Sequence, residues 1–353
     1  MAVDQSAQIV TLPGHQESFK AFNAACAEKG LLNRHESLES RDICDGLSDP
    51  STLLRFLTAR RFDPDGAVKQ FQEGQKFRED KHIIRLYDLI EIADYEQARQ
   101  IYPHWTGRRD KKGLPIFFYD ADYLNQDALS RWEKSRGNAS WRYSLSERKA
   151  PKPDMLQLAS VYYDSVIRFI HPLCSMMKDR ADPSSPVTSS IFIVDASNLG
   201  IKQGWSVRTF AQEITWLLST CYPETIDKLF VCNAPSYFTT IWKFLKSHVD
   251  PATAEKLTIL LRSEVLPMLR EHIDDANIPV RFGGGLSFTH GQLPDLESEI
   301  KQYLGLNEST KSLPPGPIKW IEELDGSRTA LAVGSEAGSE RSDRIATVDS
   351  DGQ

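Results

Sequence analysis

The sequence predicts a mixed α/β protein in which a small helical unit leads into a layer of mostly parallel strands. Three observations predict it. Helical periodicity dominates roughly the first hundred residues. After them, short runs of branched residues such as SIFIVD and LFVCN alternate with longer amphipathic stretches. The 353 residues are 40% hydrophobic and 10% aromatic. A chain of that size buries about three quarters of its unfolded surface, enough for one large domain or two modest ones.

Residues 1–14 read as a loose arm. Gln16 to about Glu28 carries Phe19, Phe22 and Cys26 at helical spacing. Ser51–Arg61 places Leu53, Leu54, Phe56 and Leu57 on one broad apolar stripe, and then Asp63, Pro64 and Asp65 give a cap, a first-turn proline and an acid for the next helix. Another helix is expected near Lys81–Tyr95. The DKKG turn at Asp110–Gly113 precedes a strand at Pro115–Tyr119. Residues 125–152 read as a polar surface insertion with a helical turn at most. Asp154–Asp179 reads as one long helix with a kink at Pro172. Strands are expected at Ser190–Asp195, Leu229–Asn233 and Leu257–Leu261, and helices at Ser206–Ser219 and Thr239–Val249, with one more starting at Pro251. VRFGGG (Val280–Gly285) closes the layer as a strand and a glycine turn. From Glu322 onward there are eight acids against three basic residues, with much Ser and Gly, so a flexible acidic tail is expected.

Composition narrows the function. With 42 Lys+Arg against 49 Asp+Glu the net charge is −7, which argues against nucleic-acid binding. The five cysteines are scattered without a CxxC pair, which fits a reducing compartment and neither a zinc finger nor a disulfide scaffold. No signal peptide and no apolar run long enough to cross a bilayer is visible. No GxSxG, GxGxxG, P-loop or HExxH motif is present, so no enzyme activity, cofactor or metal is expected.

Two features stand out. Arg60–Arg61 ends an apolar helix, where a basic pair ordinarily serves the helix dipole. The stretch 233–256 holds a helix apolar nearly all round, through Phe238, Ile241, Trp242, Phe244, Leu245 and Val249, relieved by Lys243 and Lys246. Such a helix is either core or a lid facing a cavity or a bilayer. After its Asp250–Pro251 cap, Thr253 and Lys256 stand three apart beside free backbone N–H groups, a combination that can receive a phosphate.

LLRFLTARRFDPDGAV, DKKGLPIFF, SIFIVDASNLG, CYPETIDKLFVCNAP, VDPATAEK and IPVRFGGG, in this order over about residues 48–285, together resemble the CRAL-TRIO family and most closely its fungal secretory-type phosphatidylinositol/phosphatidylcholine transfer proteins. The resemblance implies an N-terminal helical region (1–98), a lipid-binding domain (99–305) whose sheet floors an apolar pocket behind a mobile gate helix, and a C-terminal segment outside it (306–353). It implies an inositol-phosphate site at Arg60, Arg61, Glu224, Thr253 and Lys256. Phe117 and Phe192 would line the acyl pocket, together with the gate residues 238–249. Thr106 and Ser190 are candidates for a second lipid headgroup, but the hydroxyl-rich pattern that holds phosphatidylcholine is largely lost there. Phosphatidylinositol exchanged for a second lipid is therefore expected. Presentation of the lipid to other factors, or binding of sterol, squalene, phosphatidylserine or haem, is the alternative. A cytoplasmic monomer in transient contact with Golgi, endosomal or endoplasmic-reticulum membranes is also expected.

Overall fold

The computed structural model describes residues 14–135, 153–200, 208–238, 242–243, 246, 254–310 and 312–349. Helices α1 (Gln16–Glu28), α2 (Pro50–Ala59), α3 (Pro64–Asp80), α4 (Ile83–Leu89) and α5 (Ile92–Arg99) open the chain. The first three pack Phe22, Leu53, Phe56, Leu57, Val68 and Phe71 into a small core of their own. Asp49 and Asp63 cap α2 and α3 by accepting from main-chain N–H groups two and three residues on, with a proline at each first turn. The single helix expected over 81–95 is instead α4 and α5. The chain turns extended at Ile90, whose carbonyl accepts from the N–H of the distant Ser335.

Strands β1 (His104–Arg109), β2 (Pro115–Asp120), β3 (Ser190–Asp195), β4 (Ile226–Cys232) and β5 (Leu257–Ile259) form one sheet in that spatial order. β1 is antiparallel to β2, and every later pair is parallel. The mixed, mostly parallel layer is thus as the sequence predicts. β1 itself was not foreseen, because HWTGRR holds one large apolar residue and a glycine. That glycine is needed: at Gly107 (φ +86) a Cβ would stand 2.5 Å from the main chain of Asp295.

Between β2 and β3 lie α6 (Gln126–Ser135), α7 (Met155–Ser165) and α8 (His171–Met176). α6 is longer than the single turn expected of the insertion, whose residues 136–152 lie outside those described. The long helix changes its hydrogen-bonding pattern before its proline rather than at it. Val166–Ile170 widens into a π-helical turn, and Pro172 then sits in the first turn of α8, where its missing N–H costs no bond. Helix α9 (Arg208–Cys221) leads into β4, and α10 (Arg262–His272) covers the opposite face of the sheet. Ile116, Phe118, Ile191, Ile193 and Phe230 point to that opposite face, against Val265, Leu269 and Phe282.

Two expectations are corrected near the C-terminus. Val280–Phe282 is a 3-10 turn, not a strand. The glycines after it serve a tight turn and close packing: Gly283 has φ +91, and a Cβ on Gly284 would lie 2.2 Å from the Ile278 carbonyl oxygen. Nor is the acidic tail, as far as it is described, a flexible segment. After α11 (Ser298–Tyr303), β6 (Ile318–Glu322), β7 (Arg328–Glu336) and β8 (Ser339–Val348) form an antiparallel sheet that buries Trp320, Ala330, Ala332 and Val333. Its few cations do the docking. Lys319, 2% exposed, bonds to Asp42 at 2.7 Å and Asp88 at 2.9 Å, and Arg328 bonds to Asp45 at 2.9 Å.

Candidate lipid-binding site

Strand register builds one long apolar face. Trp105, Phe117, Phe192, Leu229 and Leu257 are paired in turn across five strands, and Tyr119, Val194, Val231 and Ile259 form a parallel row beside them. Cross-strand partners share a face, so both rows look the same way. The two ends of the face differ. At the β1–β3 end, Phe117 stacks on Phe192 with ring centroids 5.1 Å apart, and both are buried among Phe169, Leu173 and Trp320. Trp320 is fixed there by its indole N–H, which donates to the Phe169 carbonyl at 3.2 Å. Towards the β4–β5 end, Val194, Leu229, Leu257 and Ile259 are only half-buried, Leu229 against the packed cluster of the first end. Phe238, buried against Ala196, Val231 and Ala234, and the half-buried Trp242 lie at this end. The other gate candidates, Ile241, Phe244, Leu245 and Val249, are outside the described residues, as is Thr253.

A polar cleft of about 40 Å³ adjoins that half-buried end. Arg60, Glu224 and Lys256 line it together with Tyr222 and Gln70. Each arrives for a local reason. Arg60 is the C-cap of α2, after which Arg61 and Phe62 take left-handed φ values of 53° and 62° to turn the chain into the Asp63 cap of α3. Arg61 is exposed on this corner and does not line the cleft. Lys256 immediately precedes β5, where its carbonyl accepts from Leu229 N–H at 3.0 Å. Glu224 sits at φ 59° in the turn before β4 and accepts from Lys256 Nζ at 2.7 Å.

That turn is held from three sides. Arg55 of α2 donates to the Pro223 carbonyl at 3.1 Å. The Tyr222 hydroxyl lies 2.8 Å from Asp164 and 2.9 Å from the Ser160 carbonyl, with its one proton shared between these two acceptors. Arg78 of α3 bonds to Asp164 at 2.6 Å while its guanidinium lies 4.9 Å over the Tyr222 ring. Burial works against the Arg78 charge, but the Asp164 carboxylate more than offsets it and holds its pKa above the usual arginine value. Burial likewise pushes the Tyr222 hydroxyl well up, keeping it a donor. Sequence reasoning missed Arg55, Arg78, Asp164 and Tyr222. Arg55 had a signal, a charge inside the apolar stripe of LLRFLTA, whereas the others become partners only through the fold.

The second-headgroup candidates are placed differently. The Thr106 hydroxyl, fully buried, donates to the Ile116 carbonyl at 3.0 Å and accepts from Arg108 N–H at 3.3 Å. Ser190 shares a 2.8 Å hydrogen bond with His171 Nε2, also buried. Both hydroxyls are engaged inside the protein. Tyr162 and Tyr163 are buried in the α7 core, Tyr162 stacked on Tyr102 at 5.5 Å. Among the described residues no helix is long and apolar enough to cross a membrane, and no group of three or more His, Cys, Asp or Glu side chains is placed to hold a metal ion.

Comparison with known proteins agrees with this architecture. The CRAL/TRIO domain model matches residues 100–284, and the model of the CRAL/TRIO N-terminal domain matches residues 18–73. The SEC14 cytosolic factor of Candida glabrata is 29% identical over 259 residues, 73% of this chain and 78% of that protein. The phosphatidylinositol/phosphatidylcholine transfer protein SFH11 of Arabidopsis thaliana is 27% identical over 282 residues, 79% of this chain and 66% of that protein. The crystal structure of Sfh5, at 12% identity, covers 86% of this chain and 98% of its own with a TM-score of 0.54, a likeness of fold. The chain belongs to the CRAL/TRIO domain family and shares that family's general capacity to bind and transfer lipids.

Proposed function

We propose that this lipid-binding protein carries one phosphatidylinositol molecule between membranes and exchanges it for a second lipid. The observation that carries this reading is the cleft in which Arg60, Glu224 and Lys256 meet beside a half-buried apolar wall. Cationic donors receive the phosphate, and the carboxylate, 2.7 Å from Lys256, accepts inositol hydroxyl protons and keeps the ammonium in place. The acyl chains lie along Val194, Leu229, Leu257 and Ile259 beside Phe238 and Trp242. Each methylene kept out of water is worth about 0.8 kcal/mol, so a fitted wall makes leaving a bilayer nearly neutral. The work is physical, with no covalent step. Two relatives' names, a cytosolic factor and a phosphatidylinositol/phosphatidylcholine transfer protein, support the same reading. In this reading the chain acts as a cytoplasmic monomer that touches organelle membranes transiently.

Native mass spectrometry after loading from mixed liposomes tests the proposal. One phosphatidylinositol per chain is expected, lost in a Thr253→Ala/Lys256→Ala double variant. Loading only with sterol or another neutral lipid would overturn it.

A further inference from the structure

A second polar cleft, of about 220 Å³, lies away from the Arg60–Lys256 cleft. Its walls come from three distant segments: the start of α2, α8 with the loop that follows it, and Arg328 of β7. The charges facing it are unevenly matched. Asp49 spends its carboxylate on Gly46 N–H at 2.6 Å, Ser51 N–H at 3.0 Å, and the Thr52 N–H and hydroxyl at 3.1 and 2.5 Å. Asp45 takes Arg328 at 2.9 Å. Burial holds His171 neutral, with its pKa near 3.

Arg55 and Arg180 have no such match. Arg55 is 4% exposed, and among the described residues it bonds only to the Pro223 carbonyl and the Thr52 hydroxyl. Arg180 is 9% exposed and bonds only to the carbonyls of Ser175, Met177 and Pro183. Burial depresses the Arg55 pKa to about 10, and the nearby Asp49 charge offsets only part of that shift. Two buried cations whose direct hydrogen bonds among the described residues go only to neutral acceptors give the cleft an appetite for negative charge, which Asp49 near Arg55 and Asp182 near Arg180 meet only in part.

We propose that this cleft is a second ligand site, which binds a phosphate monoester between Arg55 and Arg180 without using Arg60, Glu224 or Lys256. A phosphate offers several acceptor lone pairs and two charges, which two guanidiniums and the hydroxyls of Ser51 and Thr188 can share. The monoester belongs either to a small soluble molecule or to a lipid such as phosphatidic acid, since both present the same group.

Calorimetric titration with glycerol 3-phosphate and flotation with phosphatidylcholine vesicles, with or without phosphatidic acid, separate the two sources. Arg180→Gln removes a guanidinium. Thr188→Asp puts a carboxylate into the cleft from a half-buried loop position and leaves both arginines and their hydrogen bonds intact, so it reports on the site even if the arginine variant folds poorly. Saturable binding of glycerol 3-phosphate, weakened about tenfold or more by Thr188→Asp and unchanged in Lys256→Ala, is the expected result and assigns a soluble ligand. Flotation that needs phosphatidic acid and is lost in Thr188→Asp, without glycerol 3-phosphate binding, assigns a lipid ligand. Binding of neither probe, or binding that survives Thr188→Asp and disappears in Lys256→Ala, would overturn the second site and leave the lipid cleft as it stands.

Discussion

The two ends of the sheet's apolar face are made of similar residues and have opposite fates. Trp105, Phe117 and Phe192 at one end are buried by the π-helical turn at Val166–Ile170, α8 and the C-terminal sheet, while Val194, Leu229, Leu257 and Ile259 towards the other remain half-buried, the last two beside Phe238 and Trp242. Strand composition does not separate a core from a binding wall. What separates them is which later piece of chain arrives to cover the face. Here Trp320, 128 positions beyond Phe192, fills the first end, and a lipid is the proposed cover for the second.

The largest effect is expected where the filler is pinned. Lys319→Ala leaves Asp42 and Asp88 buried without their cation, and a loss of about 3–5 kcal/mol in unfolding free energy should appear in urea titration. A loss under about 1 kcal/mol would mean that the C-terminal sheet does not clamp the filled end.

A paired substitution sharpens the contrast. Phe192→Ala should cost about 3–5 kcal/mol of stability, because it opens a cavity in packed protein. Leu257→Ala, at the half-buried end, should cost about 1 kcal/mol and yet slow lipid transfer more than its stability loss explains. Equal stability costs at both positions would erase the distinction between the two ends.

Acid provides a smaller probe of the filled end. Burial lowers the His171 pKa from 6.5 to about 3, so the unfolded chain binds its proton first as pH falls. The stability tied to neutral His171 is therefore full above about pH 6.5 and is lost on the way down towards pH 3. By pH 5 the loss is about 2 kcal/mol. Burial of Asp110 raises its pKa to about 6 and acts in the opposite direction over part of this range, strengthening the fold as pH falls through 6. Thermal melts of wild type and His171→Gln at pH 7 and pH 5 isolate the histidine: the wild type should lose more than the variant. A parallel decline would show that His171 is not the group responsible.

Much of the scaffold was legible in the sequence, because strong local signals agreed with the final fold. SIFIVD spans β3 to the residue, and the Asp63–Pro64 cap opens α3. The C-terminal sheet was not legible. Net charge misled there, since Lys319 and Arg328 find acids some 230 residues or more upstream and RTALAVGSE hides a buried strand among small residues. At the site, the motifs pointed to Arg60, Glu224 and Lys256, which the fold brings to one cleft. The turn that holds Glu224 depends on Arg55, Tyr222 and Asp164, whose pairing spans α2, α7 and the start of β4 and leaves no periodic trace.

Phosphatidylinositol transfer between vesicles by Lys256→Ala tests the central claim most directly. Removing the ammonium takes away a charge-assisted hydrogen bond worth about 1.5–3 kcal/mol, so transfer should fall roughly 10- to 100-fold with the fold intact by its melting temperature. Transfer at the wild-type rate by a folded Lys256→Ala protein would contradict the assignment of the cleft to the inositol-phosphate headgroup.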